Sequence, residues 1–160
     1  MTTAQTPTEP APIPSLEYVG VLARLGSTVI DTILYFIFAG IVAAMTGNTT
    51  EEGFQLEGGL AFLTLALWTA YFVGMEGFLR GTVGKLILQQ QVVNERGEAP
   101  GLVPALLRNV LRIVDVLPAF YIVGVILIAR SPEKRRLGDR VAGTYVVSAK
   151  SLAARASATP

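Results

Sequence analysis

The chain has 160 residues, of which 51% are hydrophobic and only 16% charged. A soluble domain carries about a quarter charged residues, so this balance excludes an ordinary water-soluble globule and points to a small membrane protein. The 13 Lys and Arg against 12 Asp and Glu speak against nucleic acid as a partner, and the absence of Cys and His removes disulfides, thiolate nucleophiles, the usual general base and the commonest metal ligands.

Residues Met1–Ser15 hold Pro7, Pro10, Pro12 and Pro14 and show no apolar periodicity, which predicts a disordered Pro-rich tail over 1–15. No signal peptide is read there. A first helix is predicted over about 18–45. Its stretch Leu25–Met45 contains one charge, Asp31, and is ~31 Å long as helix, the thickness of a hydrocarbon core. The following loop, Thr46–Glu57, holds Glu51, Glu52 and Glu57 and neither Lys nor Arg. A second span is predicted over 58–79, with Trp68 and Tyr71 deep inside it as packing residues. Ala66, Ala70, Gly74, Gly77 and Gly81 give it a small-residue face that allows close helix approach. That approach could be to the first span or to another copy.

Residues 80–101 are polar. A short strand is expected in Gln89–Asn94, with a second in Thr144–Ser148, the two pairing beside the membrane. Helices are then expected over about 102–116 and 119–129, separated by Pro118, and a disordered tail over 150–160. The run Val116–Ala129 is uncharged but only ~21 Å long as helix, short for a crossing. The segment Leu102–Ala129 is therefore either a re-entrant hairpin or a third span. Charge favours the hairpin. The positive-inside rule puts the 46–57 loop outside, and the residues after the second span (Arg80, Lys85, Arg96) in the cytoplasm. A full third crossing would carry Arg130, Lys134, Arg135, Arg136, Arg140, Lys150 and Arg155 outside. The fold class is thus an all-α membrane protein with both termini cytoplasmic, two full transmembrane helices, a third apolar segment and short cytoplasmic strands.

Charges inside apolar helices are costly and mark function or a structural pair. Arg24 and Asp31 lie two turns apart on one helix face, and Asp31 has no partner at i±3 or i±4. Arg108, Arg112 and Asp115 form one stripe. It either lies on lipid headgroups or faces the bundle, where Arg108 or Arg112 would pair with Asp31. Glu76 and Arg80, at i and i+4, read as a local salt bridge. Gly81-Thr82-Val83-Gly84-Lys85 fails as a phosphate loop, because Leu79 holds the first Gly position and Leu86 follows the Lys. No nucleophile has a His partner and no carboxylates have metal spacing, so no enzyme, metal or cofactor is expected.

Four stretches resemble the RDD family of small prokaryotic membrane proteins. They are LARLGSTVIDTIL with Arg24 and Asp31, GTVGKLILQQQVV with Gly84 and Lys85, RNVLRIVDVLP with Arg108, Arg112 and Asp115, and RRLGDRVAGTYVV with Arg136, Gly138, Asp139, Gly143 and Thr144. The resemblance implies that Arg24 and Asp31 are the family's defining Arg and first Asp. Its second Asp falls at Asp139, with Asp115 competing. It also implies a bacterial or archaeal cell membrane. Transport, including cation/proton exchange, has been suggested for some members. From the residues themselves, Asp139 would organise the arginines around it, or those arginines would sit on anionic headgroups. The leading expectation is a transport-related protein acting as a homo-oligomer. The alternatives are a membrane adaptor or an anionic-lipid binder.

Overall fold

The computed structural model describes residues 16–116, 128 and 130–158. Two long helices dominate, α1 (Val21–Thr46) and α2 (Gly58–Leu79), and both are long and apolar enough to cross a membrane. They are joined by a small hairpin of β1 (Thr49–Thr50) and β2 (Gly53–Phe54). Their surfaces are inside out by the standard of a soluble protein. In α1 the buried residues are Arg24, Ser27, Asp31, Ala39 and Ala43, whereas Leu22, Val29, Ile33, Phe36, Ile37 and Met45 are exposed. That pattern suits a hydrocarbon solvent, which rewards outward apolar side chains and leaves polar groups to find partners inside.

Beyond α2 the chain forms a one-turn helix α3 (Val83–Ile87), a strand β3 (Gln90–Asn94), the helix α4 (Leu102–Val116), a second one-turn helix α5 (Leu137–Val141), a strand β4 (Thr144–Ser148) and the terminal helix α6 (Ala149–Ala158). The expected strand pair forms: β3 and β4 are antiparallel, with Val92 opposite Val146 and Val93 opposite Tyr145. Residues 17–19 extend this ribbon along β4, where Val19 N donates to Val146 O and Ser148 N to Glu17 O. Side chains alternate across a strand, and the ribbon uses both faces. One carries Val93, Tyr145 and Val147 and packs with Leu16 and Leu152. The other carries Val92 and Val146, which pack with Val19, and presents Gln90 to the start of α1 and Thr144 to Arg108 of α4. This ribbon with its flanking elements, here termed the cap, holds the compact apolar core.

The first helix begins at Val21 rather than 18, because residues 17–19 are claimed by the ribbon. The 150–160 segment, expected as a disordered tail, is helical over Ala149–Ala158, and Leu152 anchors it to the core. Its Ala-rich sequence is a strong helix former. The tail 1–15 and nearly all of the 119–129 segment lie outside the described residues, as does the choice between hairpin and third span.

Candidate functional site

The inward stripe of α1 meets a different piece of the cap at each turn. Arg24 Nη1 lies 2.6 Å from Asp139 Oδ2, Nη2 donates to Lys134 O at 2.6 Å, and Nε donates to Val19 O at 3.1 Å. One turn on, the Ser27 hydroxyl meets Gln90 Oε1 at 3.2 Å, while Gln90 Nε2 donates to Ala23 O at 2.6 Å. One turn further, Asp31 accepts a hydrogen bond from the Thr82 hydroxyl at 2.6 Å and from Gly84 N at 2.8 Å.

The partner of Asp31 is therefore the start of α3, and neither Arg108 nor Arg112 bonds it. The first N–H groups of a helix have no intrahelical acceptor and attract an anion. Here an internal carboxylate fills that role, and Tyr71 Oη accepts from Val83 N at 3.0 Å beside it. The phosphate-loop likeness of Gly81–Lys85 has a physical basis: it is a helix start that binds an anion, occupied by Asp31. Gly84 is required because the two helices touch. A Cβ there would lie 2.3 Å from Ser27 O and 2.9 Å from Asp31 Cγ.

Glu76, near the end of α2, does not form the expected local bridge with Arg80. It is 2.8 Å from Lys85 Nζ and 3.2 Å from Arg108 Nε. Arg80 is turned away by its left-handed backbone (φ 63°), which ends α2. Arg108 also reaches 3.0 Å from Asp139 Oδ1 and donates to Thr144 Oγ1 at 2.8 Å. The result is a buried chain of alternating charge, Lys85, Glu76, Arg108, Asp139 and Arg24. It crosses from α3 through α2, α4 and α5 to α1. Asp139 is fully buried. Burial alone would raise the pKa of its carboxyl, but Arg108, Arg24 and Arg136 outweigh it and hold the group well below the usual carboxylate range. Lys85 is also shifted down from its ordinary value, but here burial is the cause: it lowers the pKa of the ammonium against the pull of Glu76.

The last motif supplies the geometry around Asp139. Arg136 N donates to Asp139 Oδ2 at 3.1 Å, so the carboxylate caps its own short helix, with the Arg136 Nε 3.7 Å away. Gly138 lets α5 lie against α4, since a Cβ would meet Arg108 O at 3.3 Å. Gly143 takes φ 61° to turn the chain from α5 into β4, where Thr144 is buried. The Arg108 and Arg112 stripe faces the bundle, while Leu102, Val103 and Leu106 point outward from α4. Asp115 lies on α4, and its side chain is outside the described ones.

Glu76, Thr82, Ser27 and Gln90 belong to the site although the sequence did not single them out as functional. The sequence signals were weak: a Glu one turn from the end of an apolar helix, and Thr and Gln beside short elements. Gly77 is buried against the start of α4, where a Cβ would meet Gly101 O at 3.2 Å. That part of the small-residue face thus serves neither α1 nor a second copy.

On the membrane side of the charge chain, α1, α2 and α4 enclose an open cavity of about 510 Å³. Its walls include Asp31, Tyr35, Trp68, Phe72 and Arg112. Trp68 stacks on Tyr71 and Phe38, so these rings pack the two spans together rather than anchoring them at an interface.

Two apolar spans with polar inner faces, a third helix that buries its arginines and a cap tied on by alternating charges define a small integral membrane protein. Its polar residues are organised at one end of the bundle. The chain belongs to the RDD family, whose model matches residues 18–143, most of its length. No curated protein and no solved structure matches it.

Proposed function

We propose that this RDD-family protein handles an ion or small solute in the membrane of a prokaryotic cell, and does so as a homo-oligomer. The observation that carries this reading is the cavity between α1, α2 and α4, which has charged walls at the level of the spans. Intramembrane charge beside a cavity is a functional-site signature. The two spans among the described residues cannot by themselves enclose a pathway, which argues for several copies. Ala66 and Ala70 are exposed on α2, and a Cβ at Gly74 would meet nothing within 4 Å, so a small-residue face is open to another copy.

The charge distribution supports a cytoplasmic cap facing anionic headgroups, with both termini inside. On this orientation Thr50→Cys is expected to react with an impermeant thiol reagent in intact cells, and Lys150→Cys only after lysis. Both positions are exposed and the chain has no native Cys. The reverse pattern would invert the topology.

Flux is the direct test. Purified protein in liposomes, with a panel of cations and a pH-sensitive dye, is expected to support flux that falls in Leu65→Phe, which narrows the cavity without touching a charge. A second reading is favoured by the closed state of the ion-pair chain, whose carboxylates are all bonded. There the charges hold a scaffold together. Absence of flux from folded protein, with a partner co-purifying, would favour that scaffold.

A further inference from the structure

Arg112 is the unmatched member of the charged set. Its guanidinium carbon sits 4.6 Å over the Phe72 ring, and among the described residues it makes neither an ion pair nor a hydrogen bond. A cation over a ring is held by the ring's face and not by its own N–H groups, so the five N–H donors of Arg112 have no acceptor among the described residues. The carboxylates nearby are engaged: Asp31 by Thr82 and Gly84, Glu76 by Lys85 and Arg108. In the charged set the cations Arg24, Lys85, Arg108, Arg112 and Arg136 outnumber the carboxylates Asp31, Glu76 and Asp139, and of these cations Arg112 is the one without an ion pair among the described residues. A half-buried guanidinium with idle donors beside an open cavity is a site for an oxyanion.

The walls of the cavity are graded. At the end near the cap lie Thr28, Asp31 and Arg112. Toward the middle of the spans lie Tyr35, Leu65 and Trp68. The hydroxyl of Thr28 donates to Arg24 O and that of Thr32 to Thr28 O, so α1 offers the cavity no further donor from these groups. The site therefore has one strong donor group at its polar end and rings and aliphatics at its deep end. Its volume of about 510 Å³ is that of a small-molecule site.

We propose that this cavity binds an amphipathic anion. The oxyanion head, a carboxylate or a phosphate, sits on Arg112, and an apolar tail lies along Leu65 and Trp68. This rests on reading the cavity as a solute site and names the class of solute. The head could belong to a free long-chain acid or to a membrane phospholipid, since both present the same chemistry.

Trp68 is the only Trp of the chain and lines the cavity, so its fluorescence reports occupancy. Full-length protein in nanodiscs of zwitterionic lipid would be titrated with brominated stearate, with brominated phosphatidylglycerol, and with brominated stearyl alcohol as the uncharged control. Saturable quenching by an anionic probe is expected. Arg112→Gln should weaken it about ten-fold or more, the value of a charge-assisted hydrogen bond. Quenching by stearate identifies a free acid, and quenching by phosphatidylglycerol alone identifies a lipid head. If Arg112→Gln does not fold, Leu65→Phe tests the same site: it should shift preference to shorter chains while retaining selectivity for the anion. Equal quenching by the alcohol, or quenching indifferent to Arg112→Gln and to Leu65→Phe, would overturn the proposal. Binding and flux separate the two readings. Cation flux without anion binding leaves solute handling standing and removes this ligand. Binding without flux removes transport and keeps the ligand.

Discussion

Replacing Asp139 with Asn is expected to destabilise the protein by about 3–5 kcal/mol, the cost of removing one partner from a buried ion cluster. Asp139 is fully buried and faces Arg24, Arg108 and Arg136. The neutral amide would leave two buried guanidiniums, on α1 and α4, without their shared counter-charge. The check is unfolding in detergent, followed by the loss of helical signal. A buried cluster need not stabilise the fold relative to well-packed apolar residues. The combined variant Arg24→Met, Asp139→Leu, Arg108→Met should therefore be no worse than Asp139→Asn alone. If the single change costs under about 1 kcal/mol, the cost of a surface pair, the cluster is solvated and the picture is wrong.

The same group fixes the sign of a pH dependence. Its folded-state pKa lies below the ordinary 3.8, so its contribution is complete above that value and is lost as pH falls below it. The stability gap between the native chain and Asp139→Asn should stay constant from about pH 5 to 8 and narrow below about 4. A gap that closed near neutrality would assign the effect to a different group.

What the sequence made legible was whatever repeats along a chain. The unbroken apolar runs of α1 and α2 marked the spans. The spacing of Arg108 and Arg112 marked an amphipathic face of α4, and alternation marked β3 and β4. The pairing of the charges was not legible, because spacing names the face of a helix and not the element that will meet it. Glu76 had a cation four residues away in Arg80, yet the left-handed residue that ends α2 sends the chain into α3, which brings Lys85 back instead. Asp31 was expected to need a partner, with Arg108 or Arg112 as the candidate if their stripe faced the bundle, and it found backbone and hydroxyl donors, which carry no signature of their own. The helices α3 and α5 have five residues each, too few to show a period, and both are held by carboxylates that cap them. The resemblance to the RDD family did better at this level, because its motifs mark Arg24, Asp31, Gly84, Lys85 and Asp139 together, and these residues converge at one end of the bundle.

Gly84→Ala should have the second large effect, and it tests the least expected contact. The added carbon would sit 2.3 Å from Ser27 O and 2.9 Å from the Asp31 carboxyl carbon. Both obstacles belong to α1, one of them to its backbone, so no side-chain rotation relieves the clash. The helices must part by about an ångström, at the ~1–3 kcal/mol typical of overpacking. Separation also stretches the two hydrogen bonds to Asp31 and leaves a buried carboxylate short of donors, which adds ~1–3 kcal/mol. A total of about 2–5 kcal/mol is expected, read from unfolding in detergent beside two reference variants. Gly74→Ala, in the middle of α2 with nothing within 4 Å, should be neutral or stabilising by up to about 1 kcal/mol, the Ala preference of a helix. Asp31→Asn should fall between them, because its amide oxygen can still accept from Gly84 N and the Thr82 hydroxyl can turn to accept from its amide nitrogen. The order Gly84→Ala, then Asp31→Asn, then Gly74→Ala follows only if α3 is closed around Asp31. A Gly84→Ala protein as stable as Gly74→Ala would mean that α1 and α3 do not touch, and that Asp31 is free to serve the cavity instead of the cap.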